Sequence, residues 1–423
     1  MVYIPLIYFL ILFVFLYYKN GFDCATYLCL LYVVTSFFAI LNIELGYSKV
    51  GEEQVTFLPT FIYCLLLSLF ILPVYNLKLN DVVFSSLASS RFIAFITYSY
   101  FLVFIIYLVA YHKDIVYRLF FGNFQELRMV VNNGDTADII TKYPSYIELL
   151  LSPIRFLASF SNIMVFIFFY SISFLKRKWW FNAMALLSST TVIFVGIIQI
   201  DRSKTFFWII IFGLVASIFF KKISSRLKKF VVMVSAVLML GAVSYMARVT
   251  EDRFGYRDTG VEGGVIDYAG QPYLNFCYFW NCYESPEGFT TKYLFPGFHT
   301  YVLRDFDGLI KHQREMSTKS HMQCGVFYTH LGSFLVSAGY IGPFFITLVY
   351  LLLFLVIYRK SRVSISFETL FLLFFLLIIP AAGCISYFYV GGSTELVAYF
   401  WIVMMFIMKS KNKRYNISNS LRS

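Results

Sequence analysis

The chain has 423 residues, of which 59% are hydrophobic and 14% charged, whereas soluble domains usually carry roughly 25% charged residues. Aromatic residues reach 21%, with 50 Phe and 33 Tyr. A soluble fold of this length could not bury so much apolar surface, so a soluble enzyme, a disordered protein and a DNA-binding factor are excluded. Alternating strand patterns are absent, which favours spanning helices over a barrel. The sequence predicts an all-α integral membrane protein that forms a single polytopic domain over 1–423.

Apolar runs of about 17–25 residues predict membrane-spanning helices, because a hydrocarbon core of ~30 Å needs about 20 residues in a helix. We count about eleven such runs, some of them shorter. In chain order they are 2–18, 24–42, 55–75, 92–112, 154–175, 179–200, 205–220, 229–247, 341–357, 367–389 and 395–408.

Positive charge concentrates in alternate loops. These loops and the C-terminal tail hold nineteen of the 35 basic residues against three acidic ones. The positive-inside rule makes this side cytoplasmic, with the N-terminus outside and the C-terminus inside. The net charge of +12 is therefore a topology signal, and no nucleic-acid partner is expected.

Two long loops are predicted on the outer side, 113–153 and 248–325. Long loops on a scaffold are usually functional or disordered, and the second is too aromatic for disorder. We expect it to fold over the bundle as short helices. Because the runs are almost free of charged residues inside, the chemistry is expected in these loops.

Arginines cluster near the membrane surface on that side. Arg202 and Lys204 lie at the junction of the sixth and seventh runs, where an anion would also meet free helix N–H groups. Arg248, Arg253 and Arg257 follow the eighth run and could complete a clamp for a diphosphate, since guanidinium groups bind phosphate with two parallel hydrogen bonds. The alternatives are snorkelling to lipid headgroups for the first pair and a self-paired, solvated loop for the other three.

Two further segments combine polar and aromatic residues. The segment from Asp267 to Asn275 contains Gly, Pro and two Tyr, and it is interpreted as a turn-rich stretch that suits a glycan or as an ordinary loop. The segment beginning at Tyr328 leads into a glycine-containing helix, and its His330 is either a general base or a histidine satisfied at the helix start.

No short metal-binding, nucleotide-binding or hydrolase motif is present, so no metal and no cofactor are expected. Cys277, Cys282 and Cys324 fall on the outer side, where a disulfide is allowed. The sequence leaves open whether Cys277 and Cys282 form a disulfide.

The outer-side pattern resembles the oligosaccharide repeat unit polymerases of bacterial capsule and O-antigen assembly (Wzy type). The last of four similar segments, near the C-terminus, is the most specific. The segments are Glu126-Leu127-Arg128, Arg202-Ser203, Asp267 to Asn275, and Tyr328-Thr329 with Leu331-Gly332 and Gly339 to Gly342.

The resemblance implies a GT-C-like, metal-independent glycosyltransferase of the bacterial inner membrane, inverting at the transferred sugar. It would move a growing glycan from undecaprenyl diphosphate to a new lipid-linked repeat unit, alongside a flippase and a chain-length regulator. The expected roles are a diphosphate site, a base that orients or deprotonates the acceptor hydroxyl, and a glycan site. The diphosphate site would consist of Arg202, Arg248, Arg253, Arg257 and Arg128. The candidates for the base are His330, Asp267 and Glu262. The glycan site would consist of Tyr268, Tyr273, Asn275 and Tyr328.

Other functions stay open at this stage. An O-antigen ligase differs in its acceptor, which the sequence does not reveal. A flippase for lipid-linked glycans would need a polar central cavity, and a membrane O-acyltransferase would need a histidine within the spans. A purely structural protein would leave the outer arginines unexplained.

Overall fold

A computed structural model describes most of the chain. The described residues are 1–77, 83–84, 90–120, 143–175, 177–254, 260–284, 291–305, 308–321, 327–359, 364–390 and 394–407. Arg128, Arg257 and Cys324 lie outside them, as does the side chain of Arg253.

The described chain is built from helices, which confirms the predicted α-helical membrane class. One two-residue parallel strand pair joins Val83–Phe84 to Ser364–Ile365. The helices are α1 Tyr3–Asn20, α2 Cys24–Glu44, α3 Phe57–Leu77, α4 Ser90–Phe120, α5 Ser145–Ala158, α6 Ile163–Tyr170, α7 Trp179–Ser189, α8 Thr191–Gln199, α9 Ser203–Phe219, α10 Ser225–Phe254, α11 Gly260–Cys282, α12 Gly308–Ser320, α13 Thr329–Ala338, α14 Gly342–Arg359, α15 Phe367–Ala382 and α16 Thr394–Ile407.

Seven helical stretches in the described residues are long and apolar enough to cross a membrane. An eighth is a bent pair, Ser145–Ala158 and Ile163–Leu175, whose halves meet at 59°. The predicted runs 367–389 and 395–408 correspond to the shorter apolar helices α15 and α16. The predicted run 229–247 lies within α10, which is not among the candidate spans.

Helix α2 lies at the centre of the bundle and defines its two ends. The Asp23 carboxylate caps its start by accepting the Thr26 N–H at 2.9 Å, an arrangement that satisfies an otherwise unpaired donor. Close by, the rings of Phe22 and Phe220 lie 5.6 Å apart, and the Lys228 ammonium lies 4.5 Å from the Phe220 ring. We call this the basic end, and α9 therefore begins at the opposite end.

Helix α11 lies at the opposite end, where α2 finishes and α3 begins. The Asn42 amide donates to Asp267 at 3.2 Å, and Asn281 donates to the Gln54 carbonyl oxygen at 2.7 Å. This helix therefore contacts the last turn of α2 through Asp267 and the connection between α2 and α3 through Asn281.

The interpretation of the Asp267 to Asn275 segment as turn-rich is wrong, because the whole segment is helical within α11. Burial overrides the local Gly and Pro signals. Gly270 packs directly on the Phe38 backbone, where a Cβ atom would clash, and Tyr273, Leu274 and Phe276 are buried beneath the helix. The predicted loop 248–325 likewise starts inside a helix, since α10 continues to Phe254.

Candidate functional site

The α8–α9 junction is held in a strained conformation. Ile200 adopts a left-handed φ of 54° and is almost fully buried. The Asp201 N–H donates to the Gly196 carbonyl oxygen at 2.8 Å and the Ile200 N–H donates to that of Ile197 at 3.3 Å. This hydrogen-bond pair is a Schellman motif, which usually places glycine in the left-handed position. A β-branched residue there is a true outlier, and such strain concentrates at functional sites.

Asp201 caps the start of α9. Its carboxylate accepts the Ser203 N–H at 3.0 Å and also the Ser203 hydroxyl. The expected anion site on free N–H groups is therefore wrong for Ser203, because the chain supplies its own carboxylate there.

Arg202 points toward α11. Its guanidinium lies 4.3 Å from the centroid of the Tyr268 ring, and the residue is 7% exposed. The Tyr268 ring also packs edge-on against Phe327 at 5.5 Å. Two residues that the sequence assigned to different sites, a diphosphate site and a glycan site, thus form one cation–π contact.

A cavity of about 200 Å³ opens beside this junction. It lies where three helix breaks meet: between α5 and α6, between α8 and α9, and between α15 and α16. Its lining mixes hydroxyl, amide, charged and aromatic groups. The lining residues are Ser159, Asn162, Val192, Asp201, Ser203, Lys204, Phe207, Ser386, Tyr387, Phe388 and Thr394.

Polar contacts hold the break between α5 and α6 in place. The Ser161 hydroxyl accepts the Val192 N–H at 2.9 Å, and the Thr394 hydroxyl approaches the Ser159 carbonyl oxygen at 3.5 Å. Asn162 is 1% exposed, and its Oδ1 has no hydrogen-bond partner within the part of the chain that the structure describes. Buried amide oxygens normally have partners, and Asn162 is also a residue of the cavity lining.

His330 does not line this cavity. Its imidazole is completely buried, edge-on to Phe70 with ring centroids 4.7 Å apart, and its Nδ1 lies 3.1 Å from the Gly383 carbonyl oxygen. The backbone N–H of the same residue donates to that oxygen at 3.1 Å. His330 therefore lies at a helix start with its Nδ1 paired to the backbone, while its buried Nε2 has no hydrogen-bond partner among the described residues.

The guanidinium groups of Arg248 and Arg118 lie at the ends of helices α4 and α8, respectively. Arg248 donates to the carbonyl oxygens of Leu119 and Phe120, the latter at 3.0 Å, and so satisfies the last turn of α4. Arg118 is 1% exposed and donates to the Ile198 carbonyl oxygen near the end of α8. Arg118 falls within the predicted loop 113–153, although a cation in the last turn of a helix is a recognisable signal.

The remaining predicted glycan residues join α11 to its neighbours. The Tyr273 and Thr60 hydroxyls are 2.7 Å apart. The Asn275 amide donates to the Phe327 carbonyl oxygen at 2.7 Å. Tyr328 is buried, and none of these predicted residues lines the cavity. Of the two predicted acids on α11, Glu262 is exposed and Asp267 is half-buried.

Glu395 is a buried carboxylate that sequence reasoning missed. It is 1% exposed and accepts the Gly297 N–H at 2.5 Å. It follows Thr394, a cavity residue, so it fixes the 291–305 segment beside the start of α16. An acid in an apolar run was the available signal, because intramembrane ionisable residues are rare.

Cys277 and Cys282 are free thiols in α11, so the Cys277–Cys282 disulfide is wrong. Among the described residues, no group of three or more His, Cys, Asp or Glu side chains is arranged to hold a metal ion. No protein-family model, no curated protein and no solved structure matches the chain.

Proposed function

We propose that this protein polymerises undecaprenyl-diphosphate-linked oligosaccharide repeat units on the outer face of the bacterial inner membrane. It would transfer the growing glycan to the non-reducing end of a new lipid-linked repeat and release undecaprenyl diphosphate. The observation that carries the proposal is a buried arginine, Arg202, beside a polar and aromatic cavity at the end of the bundle away from the basic loops.

The chemistry needs fixed positive charge more than it needs a nucleophile. The lipid diphosphate is already an activated leaving group, so the barrier lies in separating charge at the anomeric carbon. Pre-positioned cations stabilise the departing oxyanions at the moment of bond cleavage. In this proposal Arg202 contacts the leaving diphosphate, with Arg128, Arg253 and Arg257 as further candidates. Arg248 is the weaker candidate, because two of its donors already bind α4 carbonyl oxygens.

Asp267 is the predicted base that this site favours. It precedes Tyr268, whose ring contacts Arg202, and its Oδ1 accepts the Asn42 amide. A carboxylate at that position would orient or deprotonate the acceptor hydroxyl. Burial between aromatic rings argues against His330 in this role, and exposure of Glu262 leaves its carboxylate solvated.

The proposal includes a topology. The N-terminus would lie outside and the C-terminus inside, with about eleven spans in a GT-C-like arrangement. Contacts at the basic end support a position of Lys19 and Lys228 on the same side of the membrane. The Lys19 ammonium lies 5.3 Å from the Tyr75 ring near the end of α3, and the Lys228 ammonium lies over the Phe220 ring. The positive-inside rule then makes that end cytoplasmic.

The test is a polymerisation assay with one substrate. Purified protein in detergent is given only the native lipid-linked repeat unit, with EDTA present, and the products are separated on a gel. We expect a ladder of lengthening glycans that Arg202→Ala reduces about 100-fold. Arg226→Ala, an exposed arginine at the basic end, is the matched control and should leave the ladder intact.

The absence of a ladder from folded protein would refute the polymerase in this form. Transfer of the glycan to a different acceptor would instead identify a ligase. Movement of the lipid across vesicles without chain growth would identify a flippase.

A further inference from the structure

We propose that the cavity at the three helix breaks is a subsite for one uncharged sugar ring, with Asn162 as its amide contact. This inference rests on the proposed function for the identity of the ligand as a glycan. It extends that proposal, because Asn162, Ser159, Ser386 and Thr394 belong to none of the four segments that carry the family resemblance.

The size of the cavity suits one sugar ring. Its volume is about 200 Å³. It is smaller than the ~300 Å³ at which cavities for drug-sized ligands begin. A single pyranose ring with its hydroxyl groups is the glycan fragment of that size.

The charge of the cavity favours a neutral ligand. Its ionisable lining consists of Lys204 and Asp201, one cation and one anion, so the two formal charges cancel. A diphosphate carries negative charge and would face the Asp201 carboxylate here. The buried Arg202, which contacts Tyr268 outside this lining, is better suited to that anion. The sugar and the diphosphate are therefore assigned to adjacent but different positions.

The lining offers the groups that bind sugars. Hydroxyl groups of a sugar both donate and accept hydrogen bonds, and Ser386, Thr394 and Asn162 can do both in return. The Asn162 Oδ1 atom is buried and has no partner among the described residues. Such an atom costs free energy unless something binds it, and a sugar hydroxyl in the cavity would supply the missing donor once the Asn162 amide group turns its oxygen toward the ligand.

Aromatic rings form one wall of the same cavity. The rings of Phe207 and Phe388 pack edge-to-face with centroids 5.3 Å apart, and Tyr387 lies beside them. The C–H face of a pyranose ring packs on aromatic surfaces, while its hydroxyl edge needs hydrogen bonds. The wall and the polar lining thus match the two sides of one sugar ring.

Binding of a phosphate-free glycan tests this subsite apart from catalysis. The probe is the repeat oligosaccharide released from the lipid carrier by mild acid and freed of its terminal phosphate, titrated calorimetrically into the full-length protein. We expect wild-type protein and Arg202→Ala to bind it with affinities within about twofold. Asn162→Leu should weaken binding about tenfold, as expected for one lost buried hydrogen bond and an apolar replacement.

Two further variants control for misfolding of Asn162→Leu. Ser386→Ala removes one oxygen atom from the lining and should weaken binding about threefold to fivefold. Asn182→Leu is the matched control, because Asn182 bonds to Ser171 in the α6–α7 hairpin and does not line the cavity. It should bind as wild type does.

The inference is overturned if Asn162→Leu and Ser386→Ala both bind the oligosaccharide as tightly as wild type. It is also overturned if wild type fails to bind the oligosaccharide but binds inorganic diphosphate in a manner sensitive to Asn162→Leu. A protein that binds the oligosaccharide through Asn162 yet forms no ladder would retain this subsite while the polymerase proposal fails.

Discussion

The contact between Arg202 and Tyr268 allows the role of the tyrosine to be measured. The sequence assigned Tyr268 to glycan binding, whereas its ring lies 4.3 Å from the guanidinium of a nearly buried arginine. If the ring acts by positioning Arg202, Tyr268→Leu should slow polymerisation. A desolvated cation–π contact contributes about 1–2 kcal/mol, which corresponds to roughly 5-fold to 30-fold in rate.

A double-mutant cycle separates positioning from direct glycan contact. Arg202→Ala alone should reduce the rate about 100-fold. In that background, Tyr268→Leu should have almost no further effect, so the coupling energy equals the full ~1–2 kcal/mol of the contact. The assay is the initial rate of ladder growth per folded molecule, with thermal unfolding measured for every variant.

Two single variants serve as controls for the cycle. Tyr268→Phe retains the ring and should keep most of the rate. Tyr278→Leu removes a half-buried tyrosine from the same helix and controls for general damage to α11. The positioning role is refuted if Tyr268→Leu costs the same factor with and without Arg202, because the tyrosine would then act on the glycan itself.

Three other variants test the remaining assignments. Arg248→Gln should lower the free energy of unfolding by about 1.5–3 kcal/mol, while the rate per folded molecule stays within threefold of wild type. A 100-fold lower rate at normal stability would instead support Arg248 as part of the diphosphate site. His330→Gln should also lower the free energy of unfolding by about 1–3 kcal/mol. A pH-dependent loss of turnover without destabilisation would instead support His330 as a general base. Gly270→Ala should cost about 1–3 kcal/mol through overpacking against α2, whereas Gly241→Ala, which has open space around it, should be neutral or stabilising.

Hydrophobic periodicity and charge placement were sufficient for the class and for several helix limits. The run predicted at 24–42 is α2, which extends to Glu44, and the run at 179–200 is the pair α7 and α8. These features are local, because a spanning helix needs only a continuous apolar stretch. Arg202 was found for the same reason, as a cation at the end of such a stretch.

The cavity could not be predicted in this way. Asn162 and Thr394 are more than 200 positions apart in the sequence, and each is a single small polar residue near an apolar run. Nothing local marks Ile200 as left-handed either, since its side chain favours other backbone conformations. For α11, the local signals pointed to a turn, and only packing against α2 reveals the helix.

The helix breaks and the cavity have one physical explanation. Backbone groups exposed by a break within a membrane must find partners inside the protein, so irregular backbone at that depth occurs where it is buried or lines a cavity. Here the break between α5 and α6 is closed by the Ser161 hydroxyl, and Asp201 closes the start of α9. The Thr394 hydroxyl approaches the Ser159 carbonyl oxygen at the same break, whereas Asn162 and Ser386 line the cavity without a side-chain hydrogen bond to these breaks among the described residues. Backbone repair alone does not require polar side chains in those positions, and recognition of a polar ligand does.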